Sequence, residues 1–323
     1  MNKTRKIVVF GQTDSRQCQH QVETLQNAGA EVVCYFPQLN HGFPEWSWHD
    51  SGKIIWGEQT ISFDEIHSVL CYKRPLLAPG ESFFSRTSSA KHKMDWQHWY
   101  HESLAQRDRH DTIMGWIYTF ESRGKPIYNP QKAMVISENK PLQLQIMREA
   151  GCTLPETLIT NNPVQAKQFM EHLEHVIAKP AAGGALTINP KQLQEEELVH
   201  IRRSPAIFQQ RIYGKDLRVM VLDNRVISCV CVCVPEGTLD FRGDKDYEEG
   251  SATYQHHTLP DDIQKICIKI AKNMGYRFCG IDIKLTDDNG YYFLEVNSSP
   301  IYLDVELKTG DAITQQLASA LLS

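Results

Sequence analysis

The chain has 323 residues, 41% of them hydrophobic and 23% charged, with a formal net charge of −5 and a pI near 6.2. That composition is ordinary for a folded globular protein long enough for two or three domains, and it excludes a disordered or fibrous chain. An acidic balance lacks the basic field that bulk nucleic-acid binding requires, and no apolar run is long enough for a bilayer or a signal-peptide core.

Nine scattered cysteines, odd in number and without framework spacing, predict reduced thiols in a cytoplasmic protein. From the start, Lys6–Phe10 reads as a buried strand, Gly11–Asp14 as a turn, about Ser15–Ala28 as a helix stopped by Gly29, and Glu31–Phe36 as the next strand. This β-α-β opening has no G-x-G-x-x-G, so Gly11 is read as a tight-turn residue. Ile54–Trp56 and Gln59–Phe63 are short strand candidates, and Ser68–Tyr72 is another buried strand. That strand ends in Lys73-Arg74-Pro75, two cations at a parallel strand tip, where open α/β sheets gather ligand contacts; a solvated strand end is the plainer reading.

Ser85–Arg123 is helical in character, with Trp96, Trp99, Tyr100, Leu104, Ile113, Trp116, Ile117 and Phe120 forming a core stripe. His92, His98, His101 and His110 have no carboxylate or cysteine partner at ligand spacing and are read as solvated or core histidines. Pro126–Pro130 is the expected crossing into a second domain. Beyond it come a helix over Ser137–Ala150, a strand at Thr157–Thr160, a helix opened by Asn162-Pro163 and a strand at Val176–Lys179. The loop Pro180–Ala185 contains Gly183 and Gly184, so backbone N–H groups can approach phosphate closely, with Lys179 as a point charge; the order is not that of a Walker A loop. Pro205–Tyr213 is the next strand. Leu217–Leu222 and Arg225–Val234 form a hairpin around Asp223-Asn224. Cys229, Cys231 and Cys233 share one face of its second strand, where core packing is favoured over a metal site. Helices at Leu259–Gly275 and Asp311–Leu322 complete the series.

Between those two helices lie Phe278–Leu285 and Tyr291–Val296, joined by Thr286-Asp287-Asp288-Asn289-Gly290, a hairpin. Folding about that loop puts Asp282 nearly opposite Glu295, and alternation sends Glu295 and Asn297 to one face. Carboxylates with an amide oxygen suit magnesium, an ion that shares its coordination with water and nucleotide phosphates, whereas the plainer reading is a solvated sheet edge.

With Lys140, Lys179, the Gln209–Ile212 strand end, Asp216, Arg218, Asp282, Glu295 and Asn297 in this order, the chain resembles the ATP-grasp carboxylate ligases. It is most similar to the branch holding bacterial ribosomal-protein glutamate ligases and the microviridin-type (graspetide) peptide-crosslinking ligases. GIDI followed by FLEVNSSP is the specific part. NKPLQLQ at Asn139–Gln145 and LPETLITNNP at Leu154–Pro163 lean to the peptide-crosslinking enzymes, and EVNSSP followed by Lys308-Thr309-Gly310 leans to the glutamate ligases. The resemblance implies an N-terminal open α/β domain over residues 1–128, then a two-lobed ATP-grasp fold with lobes at 129–205 and 206–323. It implies ATP with Lys140 and Lys179 on the phosphates, Gln209, Gln210, Arg211 and Ile212 along the adenine, and Asp216 at the ribose. The Glu usual near Gln210 is absent. Asp282, Glu295 and Asn297 would hold two magnesium ions, with manganese as the alternative, and Arg218 and Arg242 would lie toward an acyl phosphate.

The expected reaction is ATP-dependent amide or ester formation on a peptide, with Lys73 and Arg74 pairing substrate carboxylates. A glutamate or amino-acid ligase acting on a small molecule or protein tail is the alternative, and a catalytically silent ATP-binding regulator is the reading from another class. No nucleic acid or membrane partner is expected, and a homodimer is the assembly weighed.

Overall fold

Ile7, Val8, Val9 and Phe10 are all fully buried, as an unbroken apolar run must be when both faces of a strand are covered. The strand they form, β1 (Lys6–Phe10), pairs in parallel with β2 (Glu31–Tyr35) and β6 (Ile66–Cys71), and β7 (Ile127–Tyr128) extends β6, giving the order β2-β1-β6-β7. Helix α1 (Arg16–Asn27) makes the first crossover, and the Ser15 side chain caps it by accepting from the Cys18 N–H. A computed structural model describes residues 4–11, 15–35, 45–50, 52–56, 59–72, 96–181, 187–193, 195–233 and 252–323. The chain divides into two units, Met1–Gln131 with Thr314–Ser323, and Lys132–Ile313.

In the first unit β3 (Trp46–His49), β4 (Lys53–Trp56) and β5 (Gln59–Ser62) form an antiparallel meander. Helix α2 (Trp96–Ser122) buries Ile113, Trp116, Ile117 and Phe120, spaced as one helical face, and Trp116 meets Tyr35 and Trp46 edge to face. Tyr100, placed in that stripe by its spacing, is 47% exposed instead, because the buried face is confined to the C-terminal half of the helix among the described side chains. The C-terminal helix, Ile313–Leu322, also belongs mostly here. Ser68 Oγ donates to Leu321 O at 2.7 Å and Tyr128 OH to Ala320 O at 3.2 Å, so carbonyls of its last turn, which lack partners within the helix, are met by β6 and β7. Residues 314–323 therefore group with the first unit, where the sequence reading ran one C-terminal lobe from 206 to 323.

The second unit holds two sheets. The smaller has the order β8 (Thr157–Thr160), β10 (Ala206–Gln210), β9 (Val176–Pro180), all antiparallel, with its core formed by Ala166, Val176, Ala178, Leu198 and Phe208. The larger is an antiparallel sheet of five strands, β13-β12-β11-β14-β15: β11 (Lys215–Leu222), β12 (Arg225–Cys233), β13 (Thr253–His256), β14 (Phe278–Leu285) and β15 (Tyr291–Asn297). One face of this sheet, with Leu217, Val219, Cys229, Ile281, Ile283, Phe293 and Val296, packs on α3 (Gln131–Glu138), α4 (Lys140–Ala150) and the helix Asp261–Met274. Cys229 and Cys231 lie in or against that core, and all nine cysteines are unpaired thiols. Among the described residues no helix is long and apolar enough to cross a membrane.

Three departures from the sequence reading matter. The helix expected over Ser137–Ala150 is broken at Asn139, whose side chain accepts from Leu142 N at 3.2 Å and caps α4, so that Pro141 falls in the first turn, where its missing N–H costs nothing. The strand expected over Pro205–Tyr213 stops at Gln210, because residues 211–214 carry the chain from the small sheet to the large one. The helix Leu303–Thr309 was not anticipated.

Gly214 sits in that connection at φ +145°, and a Cβ there would stand 2.2 Å from Leu285 O. Gly214→Ala is therefore expected to destabilise the protein by at least about 1–3 kcal/mol, seen as a lower thermal or urea midpoint. An unchanged midpoint would show that the connection has room to relax.

Candidate active site

The face of the large sheet opposite its core is charged. Register sets its pattern: Asp216 lies opposite Lys284, Arg218 opposite Asp282, Asp282 opposite Glu295, and Gly280 opposite Asn297. Partners in an antiparallel pair point to the same side, so six polar side chains from three strands share one face. They pair by charge. Lys284 Nζ donates to Asp216 Oδ2 at 2.8 Å, and Arg218 Nη1 donates to Asp282 Oδ1 at 2.5 Å. Lys140, the first residue of α4 and only 8% exposed, donates to Glu295 Oε2 at 3.1 Å. Asn297 Nδ2 donates to Asp282 Oδ2 at 3.1 Å and to Glu295 Oε1 at 3.2 Å, tying the two carboxylates together.

Two glycine and amide details hold this face in shape. A Cβ on Gly280 would lie 2.7 Å from Pro300 Cβ and 3.0 Å from Arg218 Cζ, so the guanidinium crosses the strand over a residue with no side chain. Gln143, on α4, bonds both backbone polar groups of Val296, between Glu295 and Asn297.

The carboxylates are tuned in opposite directions. Burial disfavours the charge of Glu295, but Lys140 and Lys179, with hydrogen bonds from Lys140 and Asn297, more than offset it and draw its pKa down to about 2. Burial raises Asp282, and the neighbouring charge of Glu295 adds to that, against the opposing pull of Arg218. Lys179, at the end of β9, thus acts on the same carboxylate as Lys140, although the two come from different elements.

The remaining residues singled out in the sequence fall in three groups. Gln209 is 2% exposed and its Nε2 donates to Thr157 Oγ1 at 2.9 Å, so its side chain serves the small sheet. The N–H groups of Gln210 and Arg211 donate to Glu156 O at 2.8 Å and His175 O at 2.9 Å; Ile212 follows in the connection. Lys73, Arg74, Gly183, Gly184 and Arg242 lie outside the described residues. Lys284 was missed, although its position two residues after Asp282, facing Asp216, follows from the alternation that located the others. Among the described residues no three His, Cys, Asp or Glu side chains form a metal cage. Two carboxylates and one amide instead fit a hard divalent ion completed by phosphate and water.

Residues 137–321 match the family model of the RimK-like ATP-grasp domain. A probable alpha-L-glutamate ligase of Shewanella halifaxensis is 27% identical over 202 residues, 59% of this chain and 43% of that protein. One from Vibrio parahaemolyticus is 28% identical over 205 residues, 60% of this chain and 66% of that protein. The chain thus spans less than half the length of the former. Among solved structures, the ATP-grasp ligase PsnB complexed with minimal precursor is 28% identical with a TM-score of 0.78, covering 99% of this chain and 98% of that one. The macrocyclase MdnC of Microcystis aeruginosa, bound with precursor peptide MdnA, has a TM-score of 0.78 at 20% identity over 98% of this chain and 99% of that one, a likeness of fold.

The opposite tuning of the two carboxylates gives opposite expectations for metal-free protein. A depressed pKa contributes stability that is present above the unfolded value of about 4.3 and lost as pH falls toward 2, so at pH 7 Glu295→Gln should cost stability on the order of 1–3 kcal/mol, read as a lower thermal midpoint. A raised pKa contributes stability below the unfolded value that is lost as pH rises, so Asp282 opposes folding at pH 7 and Asp282→Asn should raise the midpoint. Shifts of the same sign in both variants would contradict this assignment.

Proposed function

The chain belongs to the RimK-like ATP-grasp family, and on that footing we propose that it is an ATP-dependent carboxylate ligase that forms ADP and phosphate and acts on a peptide. The observation that carries the reading is the face on which Lys140, Arg218, Asp282, Glu295 and Asn297 meet within hydrogen-bonding distance, with Lys179 acting on Glu295 from β9. Bound ATP supplies a γ-phosphoryl group that turns a carboxylate into an acyl phosphate, from which an amine or hydroxyl displaces inorganic phosphate. Magnesium supplies charge that stabilises the phosphoryl oxygens.

In this reading Asp282 and Glu295 hold the cation, and Asn297 joins them once its amide presents oxygen in place of the NH₂ that now bonds both carboxylates. Lys140 and Lys179 contact the phosphates, with Lys140 in the first turn of a helix, where backbone N–H groups also favour anions. Arg218 faces the transferring group, and the same role is proposed for Arg242, which lies outside the described residues. The residues 210–212 line the base. Because the N–H groups of Gln210 and Arg211 are already committed to Glu156 and His175, base recognition falls to carbonyl groups of this segment and to Ile212. Asp216 reaches the ribose by leaving Lys284. For Gly183 and Gly184, which lie outside the described residues, the proposed role is backbone N–H contact with the phosphates.

A peptide substrate is supported by the likeness to PsnB, which extends over 99% of this chain and whose structures contain precursor peptide. Lys73 and Arg74 are the proposed partners of its carboxylates. The names of the glutamate ligases favour a second reading, transfer of an amino acid to a small molecule or protein tail. A silent nucleotide-binding protein is disfavoured by the joint presence of every charged group the chemistry needs.

Turnover with ATP and the true acceptor pair should yield ADP and phosphate, and hydroxylamine should trap a hydroxamate; AMP with pyrophosphate would exclude the acyl-phosphate route. The double variant Lys73→Ala, Arg74→Ala should raise KM for an acidic peptide at least about tenfold, the scale of one charge-assisted contact, with ATP binding retained. Full activity on free glutamate and none on peptides would move the assignment to the second reading.

A further inference from the structure

Among the described residues β15 is an edge strand of the large sheet, so the N–H and C=O groups on its outer side have no neighbouring strand there. Side chains and a loop meet them instead. Phe293 N donates to Thr153 O at 2.9 Å. Gln143 Nε2 donates to Val296 O at 2.9 Å while Val296 N donates to Gln143 Oε1 at 3.0 Å, and Ser298 N donates to Ser137 Oγ at 3.3 Å. Gln143 is 1% exposed, so water does not readily replace its two bonds.

The place of this clamp matters because β15 is irregular next to it. Asp282 pairs with Glu295 but Ile283 pairs with Phe293, so the register shifts at Leu294. A bulge of this kind interrupts the ladder locally, and a slip of one residue beyond it would turn Glu295 and Asn297 from the charged face into the core. Gln143 grips the peptide groups between those two residues, just past the bulge. It also lies three positions after Lys140 on the same helical face, so one contact fixes both the strand and the distance from α4 that lets Lys140 reach Glu295.

We propose that Gln143 is a positioning residue for the divalent cation: its amide pins β15 at Val296 and thereby aims Glu295 and Asn297, with Ser137 in support. The inference rests on the ligase reading for the identity of the cation.

Manganese binding, read by electron paramagnetic resonance at saturating ADP, tests it together with calorimetric ADP binding without metal. Gln143→Met keeps the volume and removes both bonds, and is expected to weaken manganese about 10–100-fold, the cost typical of losing a group that orients a metal ligand, while metal-free ADP affinity and the circular dichroism spectrum are unchanged. Faster amide exchange at Val296 should accompany it. Should Gln143→Met not fold, Gln143→Asn, one methylene too short to make both bonds, is read in the same way. Unchanged manganese affinity, or a loss of manganese and ADP affinity in equal measure, overturns the proposal. Wild-type protein that binds no manganese with ADP would overturn the ligase reading itself, and the positioning role with it.

Discussion

The Lys140–Glu295 ion pair is the contact on which the charged face depends, since it joins the start of a helix to the edge strand that closes the sheet. Two further pairs, Arg218–Asp282 and Lys284–Asp216, lie beside it, with side chains between 12% and 18% exposed. Half-buried pairs of this kind are poor sources of stability, because desolvation consumes much of their attraction and apolar residues of equal volume would serve folding as well or better. Their concentration on one face is therefore better explained by a ligand of mixed charge. In the proposed function a divalent cation would compete for the carboxylates while phosphate would compete for the cations. Each side chain would then exchange a protein partner for a ligand partner, with no bare charge left at either stage.

That exchange is affordable only because the opposite face is hydrocarbon. Leu217, Val219, Ile281 and Ile283 alternate with Asp216, Arg218, Asp282 and Lys284 along β11 and β14, and each of these four apolar residues is at most 2% exposed. Their burial, at about 1.5–3 kcal/mol per side chain, anchors the strands whatever the state of the charges. A strand period of two thus separates stability from chemistry within single strands.

Local rules carried most of what was legible in the sequence. The β14–β15 hairpin, with Asn289 at φ 64°, and the β11–β12 turn, with Asp223 and Asn224 at φ 43° and 62°, follow from turn chemistry and alternation; the hairpin brings Asp282 near Glu295, and the register shift at Leu294, which no local signal marks, completes the pairing. What was missed depends on partners remote in sequence. The C-terminal helix groups with the first unit through contacts such as Ser68 to Leu321, 253 positions apart, and Lys284 meets Asp216 across 68. The break before Lys140 was legible in principle: an asparagine two residues before a proline is a cap signal. Asn139 caps α4 and Pro141 sits in its first turn, a signal that the expectation of one helix over Ser137–Ala150 does not use.

Gly280 shows how closely the two levels are bound. A glycine inside a strand gives up packing and backbone entropy, and the predicted GIDI run gave no local reason for one there. The reason lies across the strand. Arg218 belongs to β11, and its guanidinium passes over Gly280, where Pro300 also packs, before reaching Asp282. Any side chain at 280 would occupy the guanidinium's path and leave Asp282, already disfavoured by burial, without its counter-charge. The glycine is therefore part of the charged site although it carries no polar group, and its role is visible only once the neighbouring strand is in register.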